Sequence, residues 1–483
     1  MPASDHLIEP SVFAARRKRL AEAMGGRAVL LMGHRQVPRN YLANPFPFRQ
    51  DSTFLYYTGV EEPGSACVIG EGGHTTLYLP ERTAADALWH GELPTLANVA
   101  ATCGADDARP NHELAPDAYA TLPVAEAGAN AHAADLVGRP LNPADVLGTG
   151  DRTLLDAVIT QRLTRDWDEI LAMRWACFAS KEAHTVAMEA TRPGITDSAI
   201  QALIEGVISL HGMTTAYPSI VTARGDILHG HATGATLQRG DLLLVDAGAE
   251  GPYGYASDIT RTWPVSGTFT PRQADVYDAV LAANEASIAM VKPGVSYKDV
   301  HLESCRVLAT ALRDWGLLRG DIDGLVEQGA HAVFFPHGVG HLLGLDVHDM
   351  ELFGDHALYA PDRSRSDQFG LGYLRLNRDL EEGMVVTIEP GLYWSKAILT
   401  DSTMRQRLGD SVEWVVAEQW VGLGGIRIED DVLVTQDGHD VLSEATPKKR
   451  KEIEELVGTG LPPKDRMAPA EAKCQLPEVG VRG

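Results

Sequence analysis

The 483-residue sequence contains no apolar run approaching the roughly 20 residues of a membrane-spanning helix, and its opening MPASDHLIEPSVFAARRKRL lacks the apolar centre of a secretory signal. A cytoplasmic protein with no membrane partner is expected. Cysteine is scarce: Cys67, Cys103, Cys177, Cys305 and Cys474 are scattered, odd in number and never in CxxC spacing. That pattern points to neither a disulfide framework nor a thiolate metal site, so a metal is expected on oxygen and imidazole. Positive charge is also in deficit, with 42 Lys and Arg against 66 Asp and Glu and a formal net charge of −24, which disfavours nucleic acid as a partner. What remains is ordinary. Hydrophobic residues at 44% and charged residues at 22%, over this length, suit a soluble protein of two or three domains with a large core.

Three histidines gather in FFPHGVGHLLGLDVHD, residues 334–349. His337 and His341 are four apart and His341 and His348 seven, a spacing that a helix would stack on one face. Gly338, Gly340 and Gly344 argue against a stable helix, and predict a glycine-rich strand or loop whose backbone passes close to a neighbour.

Read in order, residues 11–24 predict an amphipathic helix capped by Ser11, and RAVLLMG predicts a strand. ACVIG and HTTLYLP read as paired strands across a Gly-Gly turn, so residues 1–151 are taken as an N-terminal mixed α/β domain. Asp166 with Glu169 forms a capping box for a helix that buries Ile170, Met173, Cys177, Ser180 and His184, ends at TRPG, and is followed at once by a second helix. The arrangement recurs: a helix at 277–291, the break VKPG, and a helix in KDVHLESCRVLATALRDWG. Pro193 and Pro293 lie 100 residues apart, marking an internal repeat.

The strands that follow strengthen the repeat. LQRGDLLLVDAG and LEEGMVVTIEPG each place an acid six residues after a glycine, Asp246 and Glu389, and each half adds a second acid, Asp258 and Glu429. Any one of these could end a strand at the surface or meet an arginine. Four in matched places on apolar strands are another matter, because each like-charged pair about 4 Å apart costs about 4 kcal/mol at an effective dielectric of about 20. Two divalent cations would balance four carboxylates.

On these motifs, residues 160–446 resemble the Xaa-Pro peptidases, prolidase and aminopeptidase P, of the pita-bread metallopeptidases. FRQDSTFLYYTGV and EPG are similar to their N-terminal domain. The resemblance implies an α/β fold in which the N-terminal domain precedes a pseudo-twofold pita-bread domain, with 447–483 as a tail made of a short helix and then disorder. It implies metal ligands at Asp246, Asp258, His341, Glu389 and Glu429. Of these, Asp258 and Glu429 would bridge two divalent ions, with Mn²⁺ favoured and Zn²⁺ or Co²⁺ as alternatives. A water shared by the two ions would attack the carbonyl before proline as hydroxide, with Glu389 shuttling the proton. His337 and His348 would hydrogen-bond substrate or the tetrahedral intermediate, His229 would line the pocket, and Arg427 would hold an acid in place. A homodimer or larger assembly is implied as well.

Two departures stand out. Asp246 and Asp258 are 12 apart, one more than is usual in that family, with the extra residue expected in EGPYGY, and Gly230 stands where an aromatic commonly follows the pocket histidine. The long segment Tyr393–Gly425, and Arg375 as a partner for a dipeptide carboxylate, favour a prolidase-like dipeptidase over aminopeptidase P. Asp355–Phe369 reads as a mobile loop over the site. A catalytically silent pita-bread binding protein and a metal-free creatinase-type enzyme are both disfavoured by the complete ligand set. A methionine aminopeptidase would not need residues 1–150.

Overall fold

The computed structural model describes residues 8–466 and opens with the helix Pro10–Ala23. Proline occupies the first helical turn, where no backbone N–H is required, so Glu9 rather than Ser11 is the cap residue. Val29–Met32, Ala66–Ile69 and Thr75–Leu79 form an antiparallel sheet, and the predicted pairing across the Gly-Gly turn holds, with Ala66 opposite Tyr78. Asp107–Pro110 adds a parallel edge. FRQDSTFLYYTGV contains the fully buried helix Ser52–Thr58, capped by Asp51. Buried Arg16 and Arg17 staple this unit: Arg17 donates to the Tyr57 carbonyl at 2.7 Å, and Arg16 reaches Asp166 at 2.7 Å.

Asp166 then caps Trp167–Ala190 through the expected capping box, and the five residues predicted for its inner face are all buried. The repeat is visible atom by atom. Gly194 donates to the Leu237 carbonyl at 2.9 Å while Leu237 donates to Ile195; Gly294 donates to the Leu380 carbonyl at 2.8 Å while Leu380 donates to Val295. Both glycines hold left-handed φ, +94° and +81°, which a side chain would strain. Each turn feeds a second helix, Asp197–Leu210 or Tyr297–Asp314. The helix expected from residue 277 begins earlier, at Pro271, because Thr270 and Gln273 form a capping box with proline in the first turn.

Each half then builds a small antiparallel sheet. In the first, Leu242–Asp246 lies between Ile220–Thr222 and Thr260–Pro264. In the second, Val385–Ile388 pairs with Asp430–Val434, and Gly391–Tyr393 with Gly425–Arg427. The halves meet where the Glu429 amide donates to the Thr260 carbonyl at 3.0 Å and the Thr262 hydroxyl to the Arg427 carbonyl at 3.0 Å.

The segment after Thr446 packs onto this body rather than trailing from it. Ile453 in the helix Arg450–Leu456 is fully buried, and Lys448 donates to Asp430 at 2.7 Å. Arg261 reaches the Pro447 and Thr446 carbonyls at 3.0 and 3.1 Å. Pro463–Arg466 forms one helical turn, and most of the stretch expected to be disordered lies outside the described residues. No helix among the described residues is long and apolar enough to cross a membrane.

Candidate metal centre and substrate pocket

Asp246 closes its strand opposite Thr260, two residues beyond Asp258. Between the two aspartates the chain passes through the turn Pro252–Gly254, where Tyr253 adopts a left-handed φ of 63° and Gly251 donates to the Tyr255 carbonyl at 2.9 Å. The Tyr217 hydroxyl lies 2.5 Å from an oxygen of Asp246 and 2.5 Å from one of Asp258, joining the two carboxylates.

The histidine run is irregular, as its glycines predict. A Cβ on Gly340 would lie 2.2 Å from the Thr387 carbonyl oxygen, so the run can press against the strand only as glycine. Amides and carbonyls interleave there: Thr387 donates to His341 at 3.0 Å and Glu389 to Val339 at 2.7 Å. Farther along, Arg162 holds Asp349 at 2.7 Å and Asp346 at 3.0 Å, and Arg165 also pairs with Asp349, anchoring the chain on both sides of His348.

These elements bring the two halves' acids together. His341 Nε2 lies 3.5 Å from Asp258 and 3.8 Å from Glu389. Its Nδ1 faces the Leu342 carbonyl at 3.0 Å, an arrangement that puts the proton on Nδ1 and turns the Nε2 lone pair toward the acids. Donor atoms of Asp258, His341 and Glu429 lie within 4.8 Å of one another. Arg427 crosses from the second half to Asp246 at 2.5 Å and also donates to Thr260 at 3.1 Å, while the Thr260 hydroxyl donates to Glu429 at 2.6 Å. Arg427 thus pairs with an acid of the opposite half.

One guanidinium cannot neutralise three buried carboxylates and a fourth that is half-buried. Burial, then Asp246, pushes Asp258 up to about 7. Burial, with Asp258 and Asp246 adding to it and His341 and Arg427 opposing, pushes Glu389 up to about 7. Glu429 is driven well above its ordinary range by burial and the neighbouring acids. Burial also lowers His341, which stays neutral with its lone pair free. A donor set of hard oxygens and one neutral imidazole, short of positive charge, fits divalent cations.

A cavity of about 880 Å³ opens over these groups and is also lined by His229, His337, His348 and Arg375. His337 is held at both nitrogens, Nδ1 2.7 Å from the Gly338 carbonyl and Nε2 2.9 Å from the Tyr393 hydroxyl; burial, then Arg427, lowers its pKa to about 3. His229 stands exposed on the cavity wall. Arg375 reaches the cavity with one guanidinium nitrogen donating to both oxygens of Glu351 at 2.7 and 2.8 Å, and Glu351 also contacts His348 at 3.3 Å. In the segment expected to be a mobile loop, Arg363 pairs with Asp379 at 2.6 Å and Arg365 pairs with Asp355 within the segment itself.

Tyr217, Thr260 and Tyr393 escaped the sequence reading. So did Asp431, whose carboxylate accepts from the Asp258 amide at 3.1 Å and from the Cys177 thiol at 3.2 Å. Its place in IEDD, directly after Glu429 and Asp430, was the available signal.

Residues 172–436 match the profile of metallopeptidase family M24, and residues 13–127 match that of the aminopeptidase P N-terminal domain. The chain belongs to metallopeptidase family M24. Its family M24 relatives include the Escherichia coli (strain K12) Xaa-Pro aminopeptidase, 35% identical over 93% of this chain and 98% of that protein. The Homo sapiens Xaa-Pro dipeptidase is 32% identical over 92% of each chain. Among solved structures, proline aminopeptidase P II from Yersinia pestis superposes with a TM-score of 0.77 at 31% identity, covering 94% of this chain and 100% of that one. A zinc-substituted E. coli aminopeptidase P in complex with product gives 0.76 at 32% identity, covering 93% and 98%. The pita-bread fold and the place among the Xaa-Pro peptidases expected from the sequence therefore hold.

Proposed function

We propose that this metal-dependent Xaa-Pro peptidase is an aminopeptidase that releases the residue ahead of proline from peptides longer than a dipeptide. Asp246, Asp258, His341, Glu389 and Glu429 hold its two divalent cations. The observation that carries the length preference is Arg375. One terminal nitrogen of its guanidinium donates to both oxygens of Glu351 beside an open 880 Å³ cavity, so the positive charge that a dipeptide carboxylate would need is already paired with an acid. The relatives include both an aminopeptidase and a dipeptidase, so the prolidase-like preference is the competing reading.

The metal pair, when bound, supplies Lewis-acid polarisation of the scissile carbonyl and an acidified water. Hard oxygens and a single imidazole favour Mn²⁺ over softer ions. Glu389 takes the proton from the attacking water and delivers it to the proline nitrogen, which must leave as a secondary amine. Its carboxylate is suited to this because it makes no side-chain hydrogen bond among the described residues, whereas Tyr217 and Thr260 hold the other three acids. His337, kept neutral and oriented by Gly338 and Tyr393, and His348, braced by Glu351, line the path of the substrate backbone, with His229 at the wall. Arg427 fixes Asp246. The reading extends to a homodimer or larger assembly in the cytoplasm, which sedimentation and fractionation test.

Metal-depleted enzyme resupplied with Mn²⁺, Zn²⁺ or Co²⁺ and assayed on Ala-Pro and Ala-Pro-Ala decides the rest. A kcat/KM on the tripeptide about tenfold above the dipeptide is expected. The reverse order would establish the dipeptidase reading, and cleavage of neither would end both.

A further inference from the structure

A second cluster of donor side chains lies outside the acid site. His301 and Cys305 stand four residues apart on the helix Tyr297–Asp314, and His331 faces them from the short turn His331–Val333. A ring nitrogen of each histidine and the Cys305 sulphur lie within 4.8 Å of one another. His301 Nε2 is 3.4 Å from Sγ, close to the roughly 3.5 Å expected when nitrogen and sulphur share a cation at about 2.0–2.3 Å. The three residues are 1%, 0% and 3% exposed, and Nδ1 of both histidines is buried without a hydrogen-bond partner. Leaving such groups unpaired costs about 1–3 kcal/mol each, so the cluster is polar without being satisfied.

We propose that His301, Cys305 and His331 form a binding site for a soft monovalent cation of the Cu(I) class, separate from the divalent metal pair. Three features select that class. One thiolate and two imidazoles are a soft donor set, and three donors suit Cu(I), whereas structural zinc takes four. Burial holds His301 at about 3 and His331 at about 4, so both are neutral ligands at any physiological pH. Charge decides between one and two positive units. The charged groups that act on the cluster are Lys298 and Arg306, with no carboxylate among them. A thiolate with a monovalent ion is neutral overall; a divalent ion would leave uncompensated charge in an apolar interior. As the sulphur–metal bond forms, the thiol proton passes to solvent, which balances the step without any redox change.

The Phe335 ring lies 5.6 Å from His301 and packs edge-on to His337 at 4.8 Å, so this site backs onto the wall of the substrate pocket. The proposal does not depend on which peptide that pocket takes.

The test uses Mn²⁺-loaded protein carrying Cys474→Ser, which removes a competing thiol, titrated anaerobically with Cu(I) against a chromophoric chelator. One equivalent of Cu(I) bound, with X-ray absorption reporting one sulphur and two nitrogen neighbours, is expected, together with loss of that equivalent in Cys305→Ser. No retained copper would overturn the proposal. So would copper retained undiminished in a folded Cys305→Ser protein, or a neighbour shell of oxygen. If Cys305→Ser fails to fold, the X-ray absorption spectrum of the Cys474→Ser protein decides alone.

Discussion

The two halves of the catalytic body each contribute two carboxylates, yet they restrain them differently. In the first half Asp246 is gripped by Arg427 and Tyr217, and Asp258 shares the same tyrosine while its amide is fixed by Asp431. In the second half Glu429 accepts from Thr260 at 2.6 Å, but the nearest histidine nitrogens to Glu389 are 3.8 and 3.9 Å away. Three acids are anchored and one is left to exchange protons. The anchors also cross between halves: Arg427 of the second holds Asp246 of the first, and Thr260 of the first holds Glu429 of the second. Neither half can preform its share of the site alone.

The sharpest way to break this comparison is Glu389→Gln. It should lower kcat by about 10³-fold, as expected for a general acid–base group, and a rate within tenfold of the parent at equal metal content would remove the distinction. Next comes Arg427→Met, which leaves Asp246 buried without its partner. Urea denaturation of the metal-free protein should show a loss of about 3–5 kcal/mol, whereas an unchanged midpoint would mean that the anchors do not cross.

Metal removal sharpens the contrast in a third way. Asp258 and Glu389 are raised to about 7 in the metal-free fold, so their contribution is fully present below their ordinary carboxylate range and is lost as pH rises through about 7. The melting temperature of metal-free protein should therefore fall between about pH 5 and pH 8, while Mn²⁺-loaded protein, whose cations favour the ionised acids, should not follow it. A parallel decline in both would contradict the assigned ligands. The smallest effect belongs to Tyr217→Phe. Loss of the shared hydroxyl should cost about 1 kcal/mol of stability and a few-fold in kcat, with KM nearly unchanged.

Local chemistry was legible in the sequence and long-range chemistry was not. The Asp166–Glu169 capping box, the Gly-Gly hairpin and the matched Pro-Gly turns act over a few residues, so their spelling is their structure. The acids could be found because duplication wrote the same spacing twice. Tyr217 lies 29 residues from Asp246 and 41 from Asp258, and Cys177 lies 254 from Asp431, with no repeat to flag either. The pairing of Arg375 with Glu351 was hidden for the same reason, since the two lie 24 residues apart with no repeat to link them. The late start assigned to the helix Pro271–Met290 was a different error, since Thr270, Pro271 and Gln273 spelled the cap in full.

Lys448 and the carbonyls of Thr446 and Pro447 close around Asp430 and Arg261, next to the strand end that presents Glu429. Arg261 also donates to the Glu429 carbonyl at 2.5 Å, so loosening this fastening would be felt at the acid-bearing strand without any change in the residues that line the pocket.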